Sequence, residues 1–144
     1  MRSFTAFLLL LALFVLAGCG GSSRTSGDPA DVVTAWSQAI NAGNNDAASD
    51  LFADNVQVIQ GGQATTLTNR DDAVAFNAAL PCGGKIVEQT SEGETVTATF
   101  VLTRRPGQRC DGAGQSAVAA FKVVDGKIVL WHQLPTAAAA VQAA

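Results

Sequence analysis

The sequence predicts an α+β fold: three N-terminal helices packed on one face of a curved antiparallel sheet. Three observations carry that expectation. Helical spacing of apolar residues governs most of the first part of the domain, and a period of two takes over from Lys85 onward. The last apolar stretch, AVAAFKVVDGKIVLWHQLP from Ala117 to Pro135, is split by Asp125-Gly126. That dipeptide tolerates the positive φ values of a type I′ turn and marks a β-hairpin. The order helix, helix, strand, strand, helix and then four strands groups the helices apart from a closing meander, which suits helices covering one face of a sheet.

The chain has 144 residues, enough for one domain, and its start is a separate segment. Arg2 supplies a positive charge and Phe4 to Leu16 an apolar run of signal-peptide length, too short to span a bilayer comfortably. The run ends in Leu16-Ala17-Gly18-Cys19, which resembles the bacterial lipobox. That resemblance implies that residues 1–18 are a lipoprotein signal peptide and that Cys19 becomes the first mature residue and carries the lipid. Residues 19–27 form a flexible Gly/Ser tether, reaching about 15 Å as a random coil. The domain is expected over 28–135, and residues 136–144 form a tail with no pattern that demands order.

The elements follow in order. Asp28 can cap a helix that Pro29 begins and that the N-terminal charge of Asp31 favours. Val32, Val33, Trp36 and Ile40 fall on one stripe, and Gly43 stops the helix. Asn45 caps a second, short helix whose buried side is Ala48, Leu51 and Phe52. Asn55 to Gln60 reads as a strand, Gly61-Gly62 as a turn and Ala64 to Leu67 as the returning strand. Thr68 or Asn69 caps a third helix, with Ala73, Phe76 and Leu80 on one face and Pro81 as its stop. Lys85 to Thr90 is a strand, and Ser91 to Glu94 a turn. In the next strand Val96, Ala98, Phe100 and Leu102 alternate with Thr97, Thr99, Val101 and Thr103, so one face is apolar. RRPGQRCDGAG, from Arg104 to Gly114, reads as a solvated loop before the last hairpin. Gly83-Gly84, like Gly61-Gly62, reads as a pair of turn glycines.

Charge and cysteine usage narrow the function. Without Arg2 the mature chain has eight bases against twelve acids, a formal charge of −4. An acidic chain without a basic stripe is a poor partner for nucleic acid, and it has no electrostatic pull toward a membrane surface. Membrane attachment therefore rests on the lipid at Cys19. Cys82 and Cys110 remain as an even pair in an exported chain, where a disulfide is the default. There is no C-x-x-C, and the single histidine, His132, cannot complete a zinc site with two cysteines, so no metal and no cofactor is expected.

Two longer stretches, AWSQAINAGNNDAASDLFADNVQV and FKVVDGKIVLW, resemble the nuclear transport factor 2-like superfamily, which includes SnoaL-like cyclases, ketosteroid isomerases and limonene epoxide hydrolases. The longer stretch is similar to the family's helix, Gly-Asp step, short helix and FADDV lead into the sheet. FKVVDGKIVLW is similar to its closing hairpin. The resemblance implies a cystatin-like cone with a pocket at its open end, often dimerising through the outer face of the sheet. It also implies positions for catalytic groups, and this chain departs from the pattern at each. Where ketosteroid isomerases place their base this chain has Gln60, and near their other acid it has Ala119. Their phenolic donor is missing, because the chain contains no tyrosine. The paired Arg and Asp of limonene epoxide hydrolases correspond to Phe100 and Leu102, and the remaining Asp to Gln133. An amide has no basicity for abstracting a proton from carbon.

The expected ligand-binding set is therefore Trp36, Phe52, Phe76, Phe100, Leu102, Trp131 and Gln133. No catalytic residue is expected, with His132, the only histidine of the chain, the alternative as a general base. Which of the two neighbours faces the pocket stays open at this point. By resemblance Trp131 and Gln133 point into the cone. A strict two-residue turn instead pairs Phe121 with Leu130 and Val123 with Ile128, which turns His132 inward, and a bulge would restore the first parity. Three functions remain: a lipid-anchored domain binding a small apolar or amphipathic ligand, an interaction module acting as a homodimer, or an isomerase- or dehydratase-like enzyme using His132. Trp36, Phe52 and Phe76 also suit a plain core, and Arg104, Arg105 and Arg109 an exposed loop.

Overall fold

Asp28 and Pro29 open the first element of the computed structural model, which describes residues 27–136. The expected signal peptide, Cys19, the tether before residue 27 and the tail from 137 lie outside the described residues. Helix α1, Pro29–Asn41, starts where the Asp28 carboxylate accepts a hydrogen bond from the Ala30 N–H at 2.9 Å. It stops at Gly43, whose φ of 72° lets Gly43 N–H and Asn44 N–H reach back to the carbonyls of Ile40 and Ala39. Asn44, rather than Asn45, caps helix α2, Asn45–Asp50, by accepting from Ala47 N–H at 3.0 Å. Helix α3, Arg70–Ala79, has a reciprocal cap. Asn69 accepts from Asp72 N–H at 3.0 Å, while Asp72 accepts from the backbone of Thr68 at 2.9 Å and from its hydroxyl at 2.7 Å.

The strands are β1 Phe52–Gln60, β2 Gln63–Leu67, β3 Gly83–Glu92, β4 Thr95–Thr103, β5 Ser116–Val124 and β6 Lys127–Leu134. They form one curved sheet in the order β2-β1-β6-β5-β4-β3. Every neighbour pair is antiparallel except β1 and β6, which run parallel. No hairpin links those two strands, so no turn dictates their relative direction. The first hairpin turns at Gly61 and Gly62, both at positive φ, and the last at Asp125 and Gly126, φ 50° and 75°.

Two irregularities set which side chains point inward. In β1 the pairing with β6 shifts between Phe52 and Gln57, where Asn55 takes a φ of 58°. In the β5–β6 hairpin Val123 faces Ile128, but Lys122 faces Leu130, so Val129 is an extra residue just beyond the turn. From that bulge onward the parity is reversed. Trp131 stands opposite Phe121 on the helix side of the sheet, and His132 stands opposite Ala120 on the outer side.

Helix α1 lies across the inner face, and its stripe of Val32, Val33, Trp36 and Ile40 is buried against Val96, Ala98, Phe121 and Ile128. Burial of such side chains contributes about 1.5–3 kcal/mol each. Another α1 stripe, Val33, Ser37 and Asn41, faces β3. Ser37 and Asn41 both donate to Gly84 C=O at 2.9 Å, and Asn41 Oδ1 accepts from Gly84 N–H at 2.8 Å.

Candidate functional site

Trp36 is the centre of the inner wall. Its ring centroid lies 5.3 Å from Phe121 and 6.4 Å from both Phe100 and Trp131, in tilted or edge-on contacts. Its indole N–H donates to Asn77 Oδ1 at 3.0 Å. Around this cluster opens a cavity of about 160 Å³. Trp36 and Ile40 of α1, Phe100 and Leu102 of β4, and Trp131 of β6 form its apolar walls. Leu80, Pro81 and Cys82 close one side, and the exposed amides of Gln60 and Gln133 stand at its edge. Those two amides are neighbours, since Ile59 pairs with His132 and the next residue of each parallel strand points the other way.

Gly83 and Gly84, expected in a turn, instead begin β3 and form part of the cavity wall. A Cβ on Gly84 would lie 2.9 Å from Phe100 Cδ1, and one on Gly83 would lie 2.2 Å from Asn41 Oδ1. Close approach of α1 and Phe100 to the β3 backbone explains both glycines.

The five positions that the resemblance assigns to catalytic groups, Gln60, Phe100, Leu102, Ala119 and Gln133, all line this cavity. Among the described residues, none of those lining the wall is Asp, Glu, His, Lys or Arg. His132 is half-buried on the opposite face of the sheet, so a base at that position cannot reach the cavity. The Val129 bulge is the cause.

Two members of the expected ligand-binding set are corrected. Phe52 and Phe76 do not line the cavity. Phe76 packs behind Trp131 at 5.2 Å, and Phe52 against Phe76 at 6.1 Å. The early start of β1 carries Phe52 to the other end of the sheet, beside a separate polar hollow formed with Asp50, Asp54, Arg70 and Lys127. Arg70 there is held by Asp50 at 2.9 Å and Asp46 at 3.1 Å, and these hydrogen bonds push its pKa up.

The loop after β4 calls for another correction. Arg104 and Arg109 are exposed, and Arg109 pairs with Asp111 at 2.7 Å, but Arg105 is only 5% exposed. Its guanidinium donates to Asn77 C=O at 2.8 Å, to Leu80 C=O at 3.0 Å and to Asn45 Oδ1. It thereby supplies a cation to the C-terminal end of α3, which has no basic residue in its own last turn. Burial lowers its pKa from the ordinary arginine value. Cys110 is disulfide-bonded to Cys82, so the loop is strapped across the end of α3 beside the cavity.

Sequence reasoning missed Asn77, which is fully buried and links three helices. It accepts from Trp36 and donates to Ser49 Oγ at 3.1 Å, whose hydroxyl donates to Asn45 C=O at 2.6 Å. Its only signal was a polar residue one turn after Ala73, on the face assigned to Phe76 and Leu80. Among the described residues two buried donors have no partner, Arg105 Nε and Trp131 Nε1. Among the same residues no three His, Cys, Asp or Glu side chains converge to hold a metal ion.

A sequence model of the SnoaL-like domain matches residues 33–131. Among solved structures the chain is similar to a nuclear transport factor 2-like protein of unknown function from Cytophaga hutchinsonii, at 15% identity and a TM-score of 0.62, covering 74% of this chain and 88% of that one. It is similar to a putative polyketide cyclase from Sinorhizobium meliloti, at 18% identity and a TM-score of 0.61, covering 72% and 94%. It is also similar to a hypothetical protein with a ketosteroid isomerase-like fold from Catenulispora acidiphila, in complex with trimethylamine, at 19% identity and a TM-score of 0.59, covering 76% and 88%. No functionally curated protein matches the chain in sequence.

Proposed function

The chain belongs to the SnoaL-like domain family, and from that premise we propose that it is a non-catalytic binding domain that holds a small apolar or amphipathic ligand in its cone. The observation that carries this reading is the cavity's chemistry. An apolar space of about 160 Å³ is edged by two amides and lacks every ionisable side chain at the positions where related enzymes carry theirs. Such a wall supplies no general acid, general base or nucleophile, and it suits burial of an apolar body with one polar edge. The Catenulispora neighbour, which holds trimethylamine, is an example of this fold with a small ligand bound.

The lipobox-like Leu16-Ala17-Gly18-Cys19 places the domain, on this reading, at the extracytoplasmic face of a bacterial membrane, held by acyl chains on Cys19. Native mass spectrometry of the full chain, extracted from membranes in mild detergent, tests the binding reading. A neutral adduct of low mass supports it, and a cavity that stays empty against a cell extract overturns it. Radiolabelled palmitate tests the anchor: label is expected in the wild type and absent from Cys19→Ser, with the variant released from the membrane fraction.

A further reading, a homodimer formed through the outer sheet face, is favoured by the residues on that face. Ile59, Ala120, Leu130, His132 and Leu134 lie there, and none of the described helices covers them.

A further inference from the structure

Among the described residues, the link from α3 to β3 is the one part of the cavity wall that belongs to no helix or strand. It consists of Leu80, Pro81 and Cys82. Both of its ends are fixed. Leu80 C=O accepts from Arg105 at 3.0 Å, and Gly84, just beyond the link, is held by Ser37 and Asn41 of α1. Between these points Pro81 has no N–H to donate, and Cys82 is tied to Cys110 by the disulfide. The loop that carries Cys110 also backs a second wall residue, since a Cβ on Gly112 would stand 3.3 Å from Leu102 Cδ1. Yet other bonds keep that loop in place. Arg105 is held by Asn77, Leu80 and Asn45, Gln108 donates to Ala78 C=O at 2.7 Å, and Gly114 N–H donates to Leu102 C=O at 2.8 Å. We propose that the Cys82–Cys110 disulfide is a redox latch on the cavity. Intact, it holds the wall at Cys82 and Leu102 and limits the ligand to the size of a single ring. Reduced, it lets both residues move back for a larger apolar body while the domain stays folded.

The latch rests on the ligand-binding reading for what the wall admits. A dry cavity of about 150 Å³ accommodates benzene, so the latched space of about 160 Å³ takes a single ring and excludes two fused ones. The reductant is a dithiol. Its thiolate attacks the disulfide at Cys82, which is half-buried, whereas Cys110 is only 9% exposed. The Sγ–Sγ bond breaks, and Cys110 leaves as a thiolate that takes a proton from water. The second thiol of the reductant then attacks the mixed disulfide, and Cys82 leaves in the same way. Two electrons pass to the cysteine pair, the two protons given up by the dithiol are taken back, and the dithiol ends as a disulfide. The bonds on either side decide what is released. Arg105 and Gln108 keep the loop on α3, and the pairing of Gly83 with Thr103 keeps β3 in the sheet. Release is therefore confined to Pro81, Cys82 and the loop from Arg109 to Ala113, a local opening rather than a global one.

Benzene and naphthalene are the probes, read by the methyl signals of Leu102 and Val118 in the isotope-labelled full chain in micelles. The oxidised chain is expected to bind benzene and to exclude naphthalene. In dithiothreitol the chain should bind both, with naphthalene gaining at least about tenfold in affinity. Order parameters of the Cys82 and Gly112 amides should fall below about 0.6 on reduction, while those of Val33, Val96 and Phe121 stay near about 0.85. Cys82→Ser with Cys110→Ser should match the reduced wild type and ignore dithiothreitol, which separates the latch from any other effect of the reductant. Naphthalene bound equally in both states, or excluded from both while benzene binds, overturns the latch and leaves the ligand-binding reading standing. A core whose order is lost together with that of Cys82 and Gly112 also overturns it, since the disulfide is then a staple of the whole domain. If neither probe shifts a cavity methyl in either state, the latch and the ligand-binding reading fall together.

Discussion

Asn77 decides more than its position in the sequence suggests. It is fully buried on α3, accepts from Trp36 of α1 and donates to Ser49 of α2. Leucine at this site would match its size and strand the Trp36 indole N–H in a low-dielectric interior. An unsatisfied buried group costs about 1–3 kcal/mol, so Asn77→Leu is expected to lower stability by about 2–3 kcal/mol in urea unfolding. Adding Trp36→Phe should recover part of that loss, because the stranded donor is then gone. A double variant no more stable than the sum of the single losses would refute the coupling. The contrast with Trp36 itself shows what a sequence discloses at this scale. Trp36 was legible because Val32, Val33 and Ile40 share its stripe. Asn77 was not, since a lone amide among alanines has the same local pattern whether it faces water or a partner two helices away. The same holds for Arg105: a loop rich in Pro, Gly and Asp reads as solvated, and only the packing of α2 and α3 makes a socket for its guanidinium.

Elements here are fixed at their ends, and the ends give two tests. The Asp72 carboxyl accepts from the Thr68 hydroxyl and backbone N–H, and these hydrogen bonds hold its pKa below the usual carboxylate range. A carboxyl depressed in the folded state stabilises above its unfolded pKa of about 3.9. That contribution is lost as pH falls through the lower folded value. Asp72→Ala should therefore be less stable than the wild type at neutral pH, and the two melting curves should converge as the pH drops below about 4. A gap independent of pH would show that the charge plays no part. The loop from Arg104 gives the other test. The Cys82–Cys110 disulfide spans a sequence separation of 28, which the chain-entropy model values at about 3.5 kcal/mol. Cys82→Ser with Cys110→Ser should unfold at correspondingly lower denaturant, and a reductant should shift the wild type but not the double variant. The caps of α1 and α3 and the turns at Gly61-Gly62 and Asp125-Gly126 were legible because local chemistry decides them, whereas the α2 cap falls one residue early, on Asn44. The Val129 bulge was not. Nothing in KIVLWHQL demands an extra residue, and it is the burial of Trp131 against Phe121 and Trp36 that selects the bulged register.

At the scale of the whole molecule, fold class and family were legible and the cavity only in part. The cavity's neutrality could be read from Gln60, Gln133 and the lack of tyrosine. Its volume could not, because it depends on how closely Gly84 lets Phe100 approach β3 and on the strap at Leu80–Cys82. The outer face of the sheet raises the remaining question of assembly. Its central cross-strand row runs Ile59, His132, Ala120, Thr97 and Thr90, and adjoining rows add Leu130, Leu134, Val118 and Val101. Charges stand toward its margins, with Lys122, Glu92, Glu88 and Lys85. Six strands about 4.8 Å apart and some 30 Å long present roughly 700 Å², near the roughly 800 Å² per partner of a standard interface. A two-fold axis through this face would set the apolar centre of one copy against that of the other, as an isologous dimer requires. The expected outcome is sedimentation of the full chain at twice its monomer mass in density-matched detergent. Ala120→Arg puts a charged side chain at the centre of that row, pointing away from the core, so it should yield a folded monomer whose Trp131 indole signal is unchanged. A wild-type chain that sediments as a monomer at the same concentrations would rule out the dimer while leaving the cavity, on the opposite side of the sheet, untouched.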